Sequence, residues 1–345
     1  MNQDDIPKLM QWAYAYGEPG CSARMRTSPE DFVVDEVLGF APSGEGQHRM
    51  LLLRKRNTNS EWLAKQLARF ADVEPRDVGY AGMKDRNAVT TQWFSVDLAG
   101  QAEPDWAVFD TDEYQILEVS AHNKKLRKGV LQGNRFVITL REVSGDRAQL
   151  EQRLQCIEND GVPNYFGEQR FGHDGDNILQ AWKMLNREIR VKDRNRKGIY
   201  LSAARSLLFN AVLSQRVVDG TWNRIIVGEA AMLAGSQSFF TVETVDEAIV
   251  QRLVDWDIHP SGPMWGRGRT LVTGTAAEVE QAVLDNLSEW LSPLEHAGLK
   301  QERRPLRLQV AELQWEWLDE ATLQIGFRLP AGSYATSVLR ELVQT

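Results

Sequence analysis

The apolar positions of this chain change period several times, and each change predicts an element. Residues 32–38, Phe32-Val33-Val34-Asp35-Glu36-Val37-Leu38, are rich in β-formers and stop at Gly39 and the turn-like 42–46, which predicts a strand. A second apolar run at 50–53 predicts another. Thr58 and Glu61 form a capping-box pattern, after which Trp62, Leu63, Gln66, Leu67 and Phe70 recur on one helical face. Residues 77–86 read as loop. Gln92, Phe94 and Val96 then alternate with Thr91, Trp93 and Ser95, as in a strand rising directly from that loop. Runs at 114–119 and 136–143 predict two further strands. A helix follows over 146–159, with Leu150, Leu154 and Ile157 inward and Gly161 as its stop.

Beyond Gly161 the character changes. The segment 161–172, GVPNYFGEQRFG, is aromatic and punctuated by glycine, as where one domain leaves another. Helical patterns occupy 177–185 and 202–218. Capping boxes at Thr244 with Glu247 and at Thr275 with Glu278 predict helices reaching Val254 and Leu291. Strand character returns at 306–317, and Leu323, Ile325, Phe327 and Leu329 alternate with polar or small residues. A short helix is predicted over 333–343. A strand-rich beginning, a helical middle and a strand-rich end predict an α+β fold. One domain would comprise 1–160 and 306–345, with a mainly helical α/β domain inserted over 161–305.

Charge sharpens the picture because it is segregated. The formal charge is -8, from 40 basic and 48 acidic residues, which argues against indiscriminate binding to polyanions. Yet residues 121–141 carry Lys124, Lys125, Arg127, Lys128, Arg135 and Arg141 and no acid. Residues 187–205 add Arg187, Arg190, Lys192, Arg194, Arg196, Lys197 and Arg205 against only Glu188 and Asp193. Two such segments suit a phosphate backbone. Cys21 and Cys156 stand apart without Cys or His at metal-ligand spacing, so neither a disulfide framework nor a zinc site is expected. No run approaches the roughly 18 apolar residues of a membrane span, and the N-terminus has no basic leader; the cytoplasm is the expected compartment.

The chemistry follows by elimination. The sequence contains no phosphate-cradling GxxxxGK[ST], and 262–269 lacks the dinucleotide fingerprint. HExxH, GxSxG and the deaminase pattern are also missing. Five His and two Cys offer little for a transition-metal site, Asp-rich magnesium chemistry stays open, and carboxylate is the expected carrier of any catalysis. In GYAGMKDRNAVT, residues 79–90, Asp85 sits between Lys84 and Arg86, after glycines and before a strand that would fix the loop. Two adjacent cations would favour its ionised form.

The residues now assembled resemble a known family. GYAGMKDRNAVTTQW around Asp85, PEDFVVDE at 29–36, KGVLQGNRFVITLR at 128–141 and NYFGEQRFG at 164–172 are similar to the tRNA pseudouridine synthase D family. LSAARSLLFN at 201–210 and LPAGSYATSVLRE at 329–341 extend the likeness towards the C-terminus.

The resemblance implies a V-shaped, monomeric enzyme whose catalytic domain has a mixed, largely antiparallel sheet, without cofactor, metal or obligate protein partner. Its substrate would be tRNA, in which uridine 13 is isomerised to pseudouridine. Asp85 would be the catalytic aspartate. The N1–C1′ bond breaks, the uracil turns within the pocket and C5 joins C1′, by proton removal at C2′, covalent attachment at C1′ or attack on the base. Arg26 falls at the family's basic active-site position, where lysine also occurs, and would pair with Asp85. Phe32 falls at a pocket aromatic, Asn134 would hydrogen-bond near the base or loop, and Phe136 would stack on the displaced base. Lys84 would support the loop, contact phosphate or join the chemistry. Phosphate contacts are expected from Lys124, Lys125, Arg127 and Lys128, and from Arg190, Lys192, Arg194, Arg196 and Lys197. Two other readings stand beside this one: a non-catalytic tRNA-binding protein, and a carboxylate enzyme acting on small glycosides.

Overall fold

In the computed structural model, which describes every residue except Met1, Asn2, Ala99 and Lys128, the chain forms two compact units. One comprises residues 20–148, 310–332 and 343–345. The other comprises 1–19, 149–309 and 333–342. The helix 147–160 and the two terminal segments 1–19 and 333–342 thus group with the central residues, whereas the sequence pattern placed all three with the first strands. Hydrogen bonds account for this grouping. The Arg153 guanidinium donates to the carbonyls of Gly17, Glu18 and Glu341, and the Glu341 carboxylate accepts from the Ala15 amide.

The first unit is built on a nine-stranded sheet. Its strands in chain order are β1 (Ser22–Arg24), β2 (Phe32–Leu38), β3 (His48–Arg56), β4 (Val78–Tyr80), β5 (Val89–Asp97), β6 (Tyr114–His122) and β7 (Leu131–Ser144), completed by Ala311–Trp317 and Leu323–Pro330. Along the sheet, Ala311–Trp317 pairs with Leu323–Pro330, followed by β7, β2, β5, β3 and β6; β1 adds to β7 and β4 to β5. Every pairing is antiparallel except β2 with β5. The short Val78–Tyr80 strand lies where the sequence reads as loop. Gly79 explains the missed signal: the Leu126 carbonyl and the Ser95 hydroxyl pass so close that a Cβ at this position would clash.

One face of this sheet is covered by the helix Ser60–Phe70, and Leu51, Leu53, Phe94 and Val96 meet Leu63, Ala64, Leu67 and Ala68 there. Burying Leu63 and Leu67 completely contributes roughly 1.5–3 kcal/mol each. The helix is capped by Asn59, whose side chain accepts from the Glu61 and Trp62 amides, rather than by Thr58. The buried face runs through Leu63, Ala64, Leu67 and Ala68, which leaves Trp62, expected inward, 44 % exposed.

The second unit centres on the 25-residue helix Arg194–Val218. Its apolar core gathers Phe171, Ile178, Leu207, Phe209, Leu213, Leu284, Trp290 and Leu306. The helix begins eight residues before its apolar pattern does, on a solvent-exposed polar turn capped by Asp193. The expected helix to Leu291 divides into Gly274–Asp285 and Ser288–His296. The helix Glu247–Val254 ends as predicted but is capped by Asp246, not Thr244. Small sheets accompany these helices, with Arg216–Glu229 and Arg303–Glu280 as buried ion pairs at 2.9 and 2.6 Å.

Candidate active site

Asp85 lies in the turn between β4 and β5, held open on one side and fastened from below. Its carboxylate accepts a hydrogen bond from the Arg26 guanidinium at 2.9 Å, with the two side chains 35 % and 30 % exposed. Arg26 comes from the connection after β1, where its backbone adopts a left-handed conformation with φ 56° that non-glycine residues rarely take. Its guanidinium carbon sits 4.3 Å above the centre of the Phe32 ring, a cation–π contact that fixes the plane from which it meets Asp85. Arg26 is therefore the cation paired with Asp85. Lys84 turns away from it, and Arg86 is exposed.

The apolar side of the site follows from strand register. Phe32 on β2 is opposite Ile138 on β7, Val34 opposite Phe136 and Glu36 opposite Asn134, so these six side chains share one face. Phe136 packs edge-on against Phe32 at 6.2 Å and lies nearly flat on Phe327 at 5.3 Å. The three rings, 3, 6 and 1 % exposed, make a buried apolar cluster that begins beneath the Arg26 guanidinium. Asn134 is half-buried on the same face, and its Oδ1 is buried without a hydrogen-bond partner among the described residues. A buried amide oxygen left this way costs about 1–3 kcal/mol, so the position favours a donor from outside the chain. Asp85, Arg26, Phe32 and Phe136 form a continuous chain of contacts, with Asn134 on the same face.

Beneath the loop is a polar layer that the motif alone does not reveal. Lys84 Nζ lies 2.7 Å from Glu36 Oε1, with the two side chains 8 % and 0 % exposed. Glu36 also accepts the Trp93 amide at 2.9 Å. Burial pushes the Glu36 carboxyl above the usual carboxylate range, and Lys84 opposes the rise. The Gln92 side-chain amide donates to the Gly82 carbonyl at 2.6 Å, and its oxygen accepts the Ser60 hydroxyl, which in turn accepts the Lys84 amide. Lys55, buried on β3, donates to the carbonyls of Thr58 and Asp85. Alternation places these side chains inward, Lys55 after Leu51 and Leu53 and Gln92 before Phe94 and Val96, but carries no sign of the partners they meet there.

The basic positions sort differently. Lys124 and Arg127 are exposed, Lys125 is half-buried with its ammonium on the Arg76 carbonyl, and Lys128 lies outside the described residues. In the other unit Arg190, Lys192, Arg194, Arg196 and Lys197 are all exposed. Lys197 and Arg187 line an open hollow of about 600 Å³ with Asn186, Ser292 and His296.

Comparison with known proteins identifies the framework carrying this site. The family profile described as tRNA pseudouridine synthase D (TruD) matches residues 9–189 and 176–342. The chain belongs to the tRNA pseudouridine synthase D family. It is 48 % identical over 341 residues to the tRNA pseudouridine synthase D of Methylococcus capsulatus, covering 99 % of this chain and 95 % of that protein. It is 51 % identical over 335 residues to the enzyme of the same name from Nitrosococcus oceani, covering 96 % and 94 %. The fold is also that of a Methanosarcina mazei protein assigned to tRNA pseudouridine synthase D, whose crystal structure superposes with a TM-score of 0.76 at 22 % identity over 99 % of this chain and 98 % of that one. Membership in the tRNA pseudouridine synthase D family accounts for the mixed α+β architecture and its largely antiparallel sheet.

Proposed function

We propose that this protein isomerises uridine to pseudouridine in tRNA, at position 13, with Asp85 as the catalytic carboxylate. The observation that carries the reading is the half-exposed Arg26–Asp85 pair seated on the buried Phe32–Phe136–Phe327 cluster, within a chain of this family. Isomerisation needs no co-reactant: N1–C1′ breaks, C5–C1′ forms, and the hydrogen lost from C5 is balanced by one gained at N1. An ionised carboxylate beside the ribose serves each way of writing the first step, by taking the C2′ proton or by bonding to C1′. In this reading the buried Phe32–Phe136–Phe327 cluster is the floor of the uracil pocket, with little of Phe136 open to the base, and Asn134 Oδ1 suits a hydrogen-bond donor on that base.

A uridine in folded RNA must leave its stack to reach Asp85, at a cost of a few kcal/mol that backbone contacts offset. Lys124 and Arg127 in the unit containing Asp85, and Arg190, Lys192, Arg194, Arg196 and Lys197 in the other, supply those contacts in this reading. The protein would act as a cytoplasmic, cofactor-free monomer. The deciding experiment maps pseudouridine in tRNA from cells lacking the gene, complemented with the intact protein or with Asp85→Asn. The intact protein restores the modification at position 13. Asp85→Asn retains tRNA binding and restores none. Turnover by a sequence-verified Asp85→Asn protein removes Asp85 from the chemistry, and product elsewhere in the tRNA overturns the site specificity.

A further inference from the structure

The segment Lys55–Ser60, which joins β3 to the following helix, grips the Asp85 turn at three points. Lys55 Nζ donates to the Asp85 carbonyl at 3.1 Å, the Asn57 amide donates to the Ala88 carbonyl at 3.3 Å, and Ser60 Oγ accepts the Lys84 amide at 3.2 Å. Asn57 reaches its position through a left-handed backbone with φ 51°. Of the three contacts, only the first ends on the residue whose carboxylate faces Arg26. It is also made by a charged group, 1 % exposed, in a place where a buried ammonium is costly unless it is put to use.

We propose that Lys55 is a positioning residue for the isomerisation, fixing the backbone of Asp85 so that its carboxylate meets the ribose in one orientation. Its second bond, 2.7 Å to the Thr58 carbonyl, anchors the ammonium to the start of the helix that covers the sheet. The Asp85 carbonyl is therefore tied to the rigid part of the unit by a single cation. A backbone displacement of an ångström at Asp85 moves the carboxylate out of attack geometry, a misplacement that costs about 100-fold in rate. The proposal rests on Asp85 being the catalytic carboxylate.

The charged groups acting on Lys55 are Asp85, Lys84 and Glu36; burial, reinforced by Lys84 and opposed by Asp85 and Glu36, brings the ammonium down to about 8. The folded-state value lies below that of a free lysine, so the ammonium is lost as pH rises through about 8. Catalysis that depends on it declines over the same range.

The test compares intact protein, Lys55→Met, Lys55→Arg and Asp85→Asn under single-turnover conditions across pH. Lys55→Met lowers the rate of the chemical step by at least about tenfold while tRNA affinity stays within about twofold. Lys55→Arg, whose guanidinium stays protonated, recovers part of the rate and lacks the decline near pH 8 expected of the intact protein. A folded Lys55→Met protein with the intact rate overturns the proposal. So does a Lys55→Arg protein that keeps the alkaline decline, a readout that holds even where Lys55→Met does not fold. Asp85→Asn separates the two readings: its activity overturns the catalytic role itself, whereas its inactivity beside a fully active Lys55→Met overturns the positioning role alone.

Discussion

Replacing Lys84 by methionine probes the polar layer beneath the Asp85 turn. The variant keeps the length and most of the volume of the side chain but removes the ammonium 2.7 Å from Glu36, whose side chain is wholly buried. At that separation the pair attracts by about 6 kcal/mol for an effective dielectric of about 20, most of it offset by the cost of burying both charges. The intact pair is therefore near break-even, while removing one partner strands the other and costs about 3–5 kcal/mol. The Trp93 amide still donates to Glu36, which places the expected loss near the lower end, about 3 kcal/mol.

The pH dependence gives this prediction its sign. Burial raises the Glu36 carboxyl above its unfolded value, so the stability it contributes is fully present below the ordinary carboxylate range and is lost as pH rises through the raised value. Without Lys84 the rise is larger. Equilibrium urea denaturation of Lys84→Met should thus show a greater deficit at about pH 8 than at about pH 5.5, because acid neutralises the stranded group. Glu36→Gln combined with Lys84→Met should recover more than half of the loss. A deficit under about 1 kcal/mol at the higher pH, or one independent of pH, would refute the assignment of a buried ion pair under the turn.

Three further outcomes are expected besides those of Asp85→Asn and the Lys55 variants already described, and they concern one pair and one surface. Arg26→Ala removes a charge-assisted hydrogen bond worth about 1.5–3 kcal/mol, so single-turnover rates should fall roughly 10- to 100-fold with the fold intact by circular dichroism; an unchanged rate would show that Arg26 does not serve Asp85. Arg26→Lys should fall between, keeping the charge while losing the planar contact with Phe32. Neutralising Lys124 and Arg127 together should reduce the salt dependence of tRNA binding, by a slope of roughly 1–2, and leave the rate at saturation alone; an unchanged slope removes this segment from the phosphate-contacting surface.

What was legible in the sequence depended on whether a residue's signal was local. The alternation at 92–96 and 323–329 reads directly as strand because each inward residue meets a partner two positions along, and both elements stand where expected. Thr58 misled because it occupies the capping-box position while its hydroxyl donates to the Arg56 carbonyl, leaving the cap to Asn59. The first turns of Arg194–Val218 are polar all round, so no apolar period marks them. At the active site the same distinction holds. Asp85, Phe32 and Phe136 lie within long motifs, whereas Arg26 lies outside them and is placed by the family resemblance alone. Lys55, Glu36, Ser60 and Gln92 act through carbonyls and ion pairs that form only when β2, β3 and β5 lie side by side, and no spacing along one strand announces that.

The close approach at Gly79 has a further consequence. Besides the Leu126 carbonyl lying over Gly79, the Leu126 amide donates to Ser95 at 2.8 Å, the Gly129 amide donates to Ala81 at 3.4 Å and Lys125 donates to Arg76. The segment bearing Lys124 and Arg127 is thereby laced onto the strand that leads into the Asp85 turn. If those two cations hold a phosphate, the stretch of sugar–phosphate chain from grip to carboxylate has a set length. The enzyme would then find its uridine by counting nucleotides from that grip, as a ruler does, and lengthening the 123–130 segment by a residue would move the modification along the RNA.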